Sequence, residues 1–341
     1  MSSTKPLLVV LGATGNQGGS VVAHFLSLSS SPYALRAVTR DPSSAKAIAL
    51  ASQGVEVVAG DFDDPNSLDA AFRGASVIFS MTDFAQSMMN QSLLEKAATS
   101  AVSPGLYIRD YEAQQNRNII DAASKVRTLE RFIYSSLPYA DRLSEGKYAR
   151  VYYYDSKASA EEYGKSTYPE LWEKTSIFYA GFYLENYIWG TKDLYFCPKW
   201  NKGKDSLIAW GMEPLTTFNW PWYSVVQDTG PLVAALIRAA PGKKLIGVNE
   251  WLSMKDISKL IAQILGKDIE FVDSGPNFNQ GDPDFQRSRR EMVGFSMEFG
   301  YYGDKVDTTV LKPSELGVSV QLSPVKEWIE KQDWEKVLPA E

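Results

Sequence analysis

Short apolar runs alternate with amphipathic stretches through the first half of this chain, and the alternation predicts a sheet covered by helices. We expect strands at residues 7–11, 34–39, 55–59, 76–81, 132–135 and 175–180. The segments between them show helical spacing or an Ala-rich composition, at residues 43–53, 65–72, 90–100 and 111–126. A βαβα order of this kind favours an α/β fold with a doubly wound, parallel Rossmann sheet and right-handed crossovers.

The pattern changes after Gly181. Five tryptophans lie between residues 189 and 222 among Gly, Pro and Asn, and no clean period runs through them. This stretch is therefore interpreted as loops and short elements. Further on we expect elements at residues 224–236, 244–248, 253–265, 276–290 and 323–332. The helix at 253–265 opens with Ser253 and Asp256 in capping-box spacing.

This change of pattern predicts two lobes. Residues 1–188 are assigned to a dinucleotide-binding domain of the Rossmann type, to which residues 224–250 return. Residues 189–223 and 251–341 are assigned to a smaller C-terminal α/β lobe that binds the substrate. A chain of 341 residues is long enough for both.

The opening strand leads directly into a glycine-rich turn. Residues 7–20 are LLVVLGATGNQGGS, in which the apolar run stops at Gly12 and glycines recur at Gly15, Gly18 and Gly19. Small residues at these places let a pyrophosphate approach the backbone and let the helix pack closely on the strand. The start of the helix then offers free N–H groups to an anion. The alternative is a glycine-rich turn that binds nothing.

Composition excludes several classes of function. The chain is 44% hydrophobic and 22% charged with a net charge of −6, so nucleic acid is not an expected partner. No apolar run approaches the length of a membrane span, and the N-terminus leaves no room for a signal peptide. Cys197 is the single cysteine, which excludes an internal disulfide and favours a cytoplasmic location.

The single histidine, His24, lies in the first predicted helix, where packing is its expected role. A catalytic triad or dyad based on histidine would have to use it. With one Cys and one His, a zinc site is not expected either, and no metal is predicted.

A series of motifs resembles the NmrA-like family, which is an atypical branch of the short-chain dehydrogenase/reductases. They are GATGNQGGSVV from residue 12, VTRDP from 38, GDFDD from 60, FIYSSL from 132, YDSKASAEEY from 154, AGFYLEN from 180 and QDTG from 227. The resemblance runs from about residue 6 to beyond 267. It implies a Rossmann lobe with a smaller substrate lobe. It leaves activity open, since some such proteins are redox-sensing regulators and others reduce small molecules.

The end of the second strand indicates which dinucleotide binds. An NAD site usually has an acidic residue here, whereas this chain has Thr39 and Arg40. A guanidinium can bind a 2′-phosphate with two hydrogen bonds, so NADP(H) is preferred over NAD(H), which stays possible. Asp41 could instead pair with Arg40 or accept a ribose hydroxyl, and Arg40 could be an ordinary solvated charge.

The resemblance extends the cofactor site to other strand ends. It implies that Asp61 and Phe62 lie beside the adenine and that the turn with Phe182 and Asn186 closes over the nicotinamide, while Thr82 ends the fourth strand. The predicted cofactor-binding residues are Gly12, Thr14, Gly15, Asn16, Gln17, Gly18, Arg40, Asp61, Phe62, Thr82, Lys157, Phe182 and Asn186.

Tyr153 and Lys157 are the candidate catalytic pair. They stand at i and i+4 in a predicted helix, so both side chains point the same way. The tyrosine would give a proton to the developing alkoxide, and the lysine would hold the nicotinamide ribose. Ser135 or Ser136 would orient the substrate oxygen, and Ser136 is taken as the third candidate. Tyr153 could instead be an aromatic wall of the pocket, because NmrA-like proteins commonly lack tyrosine there.

These observations predict an NADPH-dependent reductase. The tryptophan-rich stretch favours a small, apolar and aromatic substrate, although ordinary packing between lobes explains any single tryptophan equally well. One alternative is a regulator that binds the dinucleotide without turnover and docks to a protein partner. Another is a non-redox isomerase or dehydratase on the same fold.

Overall fold

A parallel sheet forms the centre of the protein. The structure is a computed structural model that describes residues 5–189, 197–201, 203–273 and 282–338. Within these residues, one sheet contains eight strands in the spatial order β14-β11-β6-β5-β4-β1-β2-β3, all parallel. Its strands are β1 (Leu7–Leu11), β2 (Ala34–Thr39), β3 (Glu56–Ala59), β4 (Val77–Ser80), β5 (Arg131–Ser136), β6 (Thr175–Tyr179), β11 (Lys244–Ile246) and β14 (Val310–Leu311).

Helices cover both faces of the sheet. The helices before β6 are α1 (Asn16–Ser27), α2 (Ala45–Ser52), α3 (Pro65–Ala71), α4 (Phe84–Met88), α5 (Gln91–Ala98), α6 (Pro104–Ser124), α7 (Ala140–Leu143), α8 (Tyr152–Thr167) and α9 (Pro169–Trp172). The later helices are α10 (Asn186–Trp189), α11 (Thr229–Arg238), α12 (Met254–Leu265), α13 (Pro283–Phe299), α14 (Val325–Glu330) and α15 (Trp334–Val337). None of the helices in the described residues is both long enough and apolar enough to cross a membrane.

The alternation of side chains along β1 separates two hydrophobic cores. Leu8 and Val10 belong to a core that includes residues of α1 and α11, whereas Val9 and Leu11 belong to one that includes residues of α3, α6 and α8. All four are fully buried, as expected for a strand covered on both faces. The sheet is therefore doubly wound, as predicted.

Two small sheets lie outside the main one. The first has the order β12-β10-β7 and is made of β7 (Phe182–Tyr183), β10 (Asn219–Tyr223) and β12 (Glu250–Ser253). The second has the order β13-β9-β8 and is made of β8 (Lys199–Trp200), β9 (Ser206–Trp210) and β13 (Asp268–Val272). Trp220 and Trp222 of β10 are buried, so these two tryptophans contribute to the core.

Most of the predicted elements are present in the structure, and it contains further short elements that were not predicted. The predicted helix at 111–126 begins earlier, at Pro104, where Ser103 caps its first turn. The short helix α4 was not predicted, and neither were the strands β9 and β10 in the tryptophan-rich stretch. Part of the predicted loop at 276–290 lies outside the described residues, while its helix is α13. The capping box of Ser253 is confirmed.

Candidate active site

The turn between β1 and α1 has the geometry of an anion cradle. Gly12 has a φ of +63°, and the Gly15 N–H donates to the Gly12 carbonyl at 2.8 Å. A Cβ on Gly18 would stand 2.3 Å from the Leu11 carbonyl oxygen, so only glycine allows α1 to lie this close to β1. No side chain caps α1 and no acidic residue occupies its first turn, which leaves its N-terminal dipole available to a negative group.

Gln17 connects this turn to two other strand ends. Its side chain is buried, and its Nε2 donates to the Tyr183 hydroxyl at 2.8 Å while its Oε1 accepts from the Ser135 hydroxyl at 2.9 Å. Ser135 lies near the end of β5, and Tyr183 ends β7 just after β6. Burial raises the pKa of Tyr183 to about 12, although the hydrogen bond from Gln17 acts in the opposite direction. Tyr183 therefore keeps its proton at neutral pH.

A buried ion pair lies between α6 and α8. Lys157 Nζ is 2.5 Å from Glu112 Oε1, and the glutamate is fully buried. The same carboxylate accepts hydrogen bonds from the Thr82 hydroxyl at 2.8 Å and from the Ser156 hydroxyl. Asn116 donates to Thr82 Oγ1 at 2.9 Å. Glu112 therefore fixes the ammonium of Lys157 next to the end of β4.

The side chains of the other two predicted catalytic residues, Tyr153 and Ser136, have different neighbours. The Tyr153 ring packs 6.0 Å from Phe84 and 5.0 Å from Tyr154, and burial raises the pKa of its hydroxyl well above the usual value. The Ser136 hydroxyl donates to Glu161 Oε2 at 3.1 Å. Because neighbouring residues of a strand point to opposite faces, Ser135 contacts Gln17 and Ser136 contacts α8.

The predicted 2′-phosphate site is exposed and basic. Arg40 Nη2 donates to Gln86 Oε1 at 2.8 Å, and the described residues contain no ion pair to its guanidinium. Asp41 does not take that role, because its Oδ1 accepts from the N–H and the hydroxyl of Ser43. Lys46 Nζ reaches the Thr14 carbonyl at 3.2 Å, which adds a second cation beside the glycine turn.

The remaining predicted cofactor residues lie at other strand ends. Asp61 and Phe62, both partly buried, follow β3, and the Phe62 carbonyl accepts from Asn118 Nδ2 at 2.8 Å. Phe182 packs its ring 4.9 Å from that of Trp222, inside the aromatic core of the small β12-β10-β7 sheet. Asn186, partly buried, is the first residue of α10. Asn16, exposed, is the first residue of α1.

The lone histidine has a packing role, as the sequence suggests. The His24 ring meets Phe25 edge to face at 5.3 Å on α1. Burial lowers the pKa of His24 below its ordinary value, with a smaller contribution in the same direction from Arg238. A charged imidazole is therefore disfavoured here.

Glu112 is the functional candidate that sequence reasoning missed. The available signal was a polar stripe on the buried side of a helix, where Glu112 and Asn116 stand at i and i+4 between the buried Ile108 and Ile119. An ionisable residue on such a face needs a partner of opposite charge. The spacing along the chain does not reveal that this partner is Lys157.

Comparison with known proteins agrees with this architecture. A sequence model of the NmrA-like family matches residues 4–329. The NmrA-like family domain-containing oxidoreductase ptmS of Penicillium ochrochloron is 27% identical, and the match covers 97% of this chain and 99% of that protein. Among solved structures, the negative transcriptional regulator NmrA in complex with NADP is 18% identical with a TM-score of 0.69, covering 98% of this chain and 97% of its own.

A reductase has a similar fold. The NADPH-dependent quinone oxidoreductase QOR2 of Escherichia coli, complexed with NADPH, is 19% identical with a TM-score of 0.62. The match covers 95% of this chain and 98% of that one. The fold is thus shared by a regulator and by a reductase, and only the site chemistry can separate the two roles.

Proposed function

This chain belongs to the NmrA-like family, and from that premise we propose that it is an oxidoreductase. It uses NADPH to reduce a small, apolar, aromatic molecule. The observation that carries the proposal is the cluster in which Gln17, on the phosphate-turn helix, holds the Tyr183 hydroxyl at 2.8 Å. That contact brings a proton-bearing phenol to the carboxyl ends of the strands, where ligands of open α/β sheets bind.

The glycine turn fits the pyrophosphate of a dinucleotide. No side chain caps α1, so none accepts a hydrogen bond from the N–H groups of its first turn. Oxygen atoms of a diphosphate are the acceptors that such a helix end binds best. Gly12, Thr14, Gly15 and Asn16 would surround it.

A preference for NADP(H) is supported by charge. Arg40 follows the end of β2, and Lys46 lies beside the glycine turn, where its ammonium contacts the Thr14 carbonyl. The Asp41 carboxylate accepts a hydrogen bond from the Ser43 hydroxyl. A 2′-phosphate would therefore meet positive charge without having to displace a carboxylate from Arg40. Thr39 adds a neighbouring hydroxyl.

Lys157 and Tyr183 take separate roles in the proposed reaction. When bound, the dinucleotide supplies the hydride. Lys157 keeps donors beyond the one used on Glu112, and these bind the ribose hydroxyls. Tyr183 receives an N–H from Gln17, so its own hydrogen is available to the substrate oxygen, and the same N–H stabilises the phenolate that remains.

Tyr153 is the alternative proton donor, and its ring otherwise forms a wall beside Phe84. Ser135 shares Gln17 with Tyr183, so it is proposed beside Ser136, which donates to Glu161, as the serine that orients the substrate oxygen. The other proposed cofactor contacts follow from positions near strand ends; they are Asp61, Phe62, Thr82, Phe182 and Asn186.

The test compares Tyr183→Phe with Tyr153→Phe in NADPH oxidation assays with phenanthrenequinone and cinnamaldehyde. We expect Tyr183→Phe to lower kcat by about a hundredfold or more, the usual size of general acid catalysis. The Kd for NADPH, measured by calorimetry, should stay unchanged in both variants. If only Tyr153→Phe loses turnover, the donor is Tyr153.

The same assay separates an enzyme from a regulator. NmrA, described as a negative transcriptional regulator, has the same fold. Tight NADPH binding with no oxidation in the presence of either aromatic carbonyl would contradict the reductase proposal and favour a dinucleotide-sensing role. Absence of binding would contradict both.

A further inference from the structure

A polar cleft is lined by residues of α6 and α8 other than those of the Glu112–Lys157 pair. Its volume is about 490 Å³, and it is lined mainly by polar side chains of the two helices and by Tyr139, which precedes α7. α6 directs Glu112 toward Lys157 but Arg109 and Arg117 toward this cleft. α8 contributes Asp155 and Ser159 to it. We call it the α6–α8 cleft.

Two buried polar atoms of the residues that line this cleft have no partner within the described part of the chain. They are Asp155 Oδ2 and Arg117 Nε. Asp155 is 1% exposed, and its other oxygen accepts the N–H of Asp141 at 3.2 Å. The Arg117 guanidinium lies 5.7 Å from the centre of the Tyr163 ring. Leaving such groups without a hydrogen-bond partner is unfavourable, so binding of a ligand that satisfies both would be favoured.

The charges in the cleft select the ligand. Arg109 is held by Asp110 through Nε and Nη2, so its charge is balanced, whereas Arg117 has no carboxylate within salt-bridge distance among the described residues. A guanidinium with free N–H groups binds carboxylate or phosphate oxygens in its own plane. We propose that the α6–α8 cleft is a second binding site, for a small oxyanion such as a carboxylate or a phosphate.

The protonation of Asp155 makes the site sensitive to pH. Burial raises the pKa of Asp155 to about 7, with the Asp141 carboxylate acting in the same direction, and backbone N–H groups and Arg109 opposing it. Tyr139 and Asp110 are the other ionisable groups at the cleft besides Arg117. When protonated, the Asp155 carboxyl can donate a hydrogen bond to the anion. When ionised, it repels the anion.

Calorimetry with the whole protein tests this site, using sulfate and succinate as probes at constant ionic strength. Sulfate represents phosphate but does not titrate near neutral pH, and succinate represents carboxylates. The probe that binds with the lower Kd therefore identifies the class of ligand. Arg117→Met should weaken binding of the preferred probe by about tenfold, the effect of losing one charge-assisted contact. Arg73→Met is the matched control, because Arg73 is exposed between α3 and β4 and lines neither the cleft nor the proposed cofactor site, so its loss should leave cleft binding unchanged.

The pH arm uses sulfate between pH 6 and pH 8. Binding to the wild type should weaken by about threefold or more over this interval, because Asp155 loses its proton. Asp155→Asn, which always carries an N–H donor, should bind equally at both values. The proposal is overturned if Arg117→Met binds both probes as the wild type does, or if Asp155→Asn retains the wild-type pH dependence. Circular dichroism establishes that both variants are folded.

Discussion

Replacing Gly18 by alanine tests the proposed phosphate-binding role of the glycine turn most directly. Gly19→Ala is the matched control in the first turn of the same helix. The new Cβ at position 18 would lie 2.3 Å from the Leu11 carbonyl oxygen and 2.4 Å from that of Gly12. At position 19 the nearest atom, the Ala13 carbonyl oxygen, is 3.3 Å away. Both substitutions place alanine in α1, so they share the same gain in helix propensity.

The expected difference follows from these distances. Cβ contacts below 3.0 Å do not persist, so α1 must move away from the turn by roughly 0.7 Å in Gly18→Ala. Overpacking against rigid backbone costs about 3 kcal/mol, and alanine returns about 1 kcal/mol of helix propensity. We expect a net loss of about 2 kcal/mol for Gly18→Ala, and no loss or a slight gain for Gly19→Ala.

Urea denaturation gives the free energy of unfolding, and calorimetry gives the Kd for NADPH. A displacement of this size at the N-terminus of α1 should weaken NADPH binding by about tenfold or more in Gly18→Ala, since 1.4 kcal/mol corresponds to a factor of ten. Gly19→Ala should bind nearly as the wild type does. If the two variants are equally stable and bind NADPH equally, the geometry assigned to the turn is wrong.

Three further outcomes follow from the site and its surroundings. Glu112→Gln should lower the free energy of unfolding by about 3 kcal/mol in urea denaturation, because it leaves Lys157 buried without a counter-charge. The double variant Glu112→Gln/Lys157→Met should recover most of this loss. A double variant as unstable as the single one would contradict this reasoning. Arg40→Met should weaken NADPH binding by about tenfold or more while leaving NADH binding unchanged, as measured by calorimetry; an equal loss for both would remove Arg40 from the 2′-phosphate site. Burial raises the pKa of Asp228 from 3.8 to about 6, so the folded state binds the extra proton and unfolding free energy falls as pH rises across that interval. The difference between wild type and Asp228→Asn in urea denaturation should show this decline, and a flat difference would refute it.

The central sheet was predictable because its strands carry a strong local signal. β1 and β2 have the bounds expected from the sequence. β1 is a continuous apolar run that stops at Gly12, and β2 is a mainly apolar segment that stops before Arg40. β10 gave no such signal, because Trp220, Pro221 and Trp222 have no apolar-polar alternation, and residues on both of its faces are buried. Its place in the fold depends on contacts with β7 and β12, which are distant in the sequence.

The candidate site was predictable only in part, for the same reason. A glycine turn and an i, i+4 pair are local, so they could be seen in the sequence. The partner of Lys157 is 45 residues away, and the partner of Tyr183 is 166 residues away. The choice between Ser135 and Ser136 depends on which face of β5 is covered by α1 and which by α8. That is a property of the assembled sheet.

The Glu112–Lys157 pair is better explained by function than by stability. A buried ion pair recovers little more than the cost of removing its charges from water, and apolar side chains of similar size would pack the α6–α8 contact at least as well. What apolar side chains could not provide is an ammonium group held beside the ends of the parallel strands. Thr82 and Ser156 both donate to the carboxylate, so Glu112 is fixed and Lys157 has one defined position. A fixed cation of this kind would bind ribose hydroxyls without first losing side-chain entropy, which supports the proposed role of Lys157 as a cofactor contact.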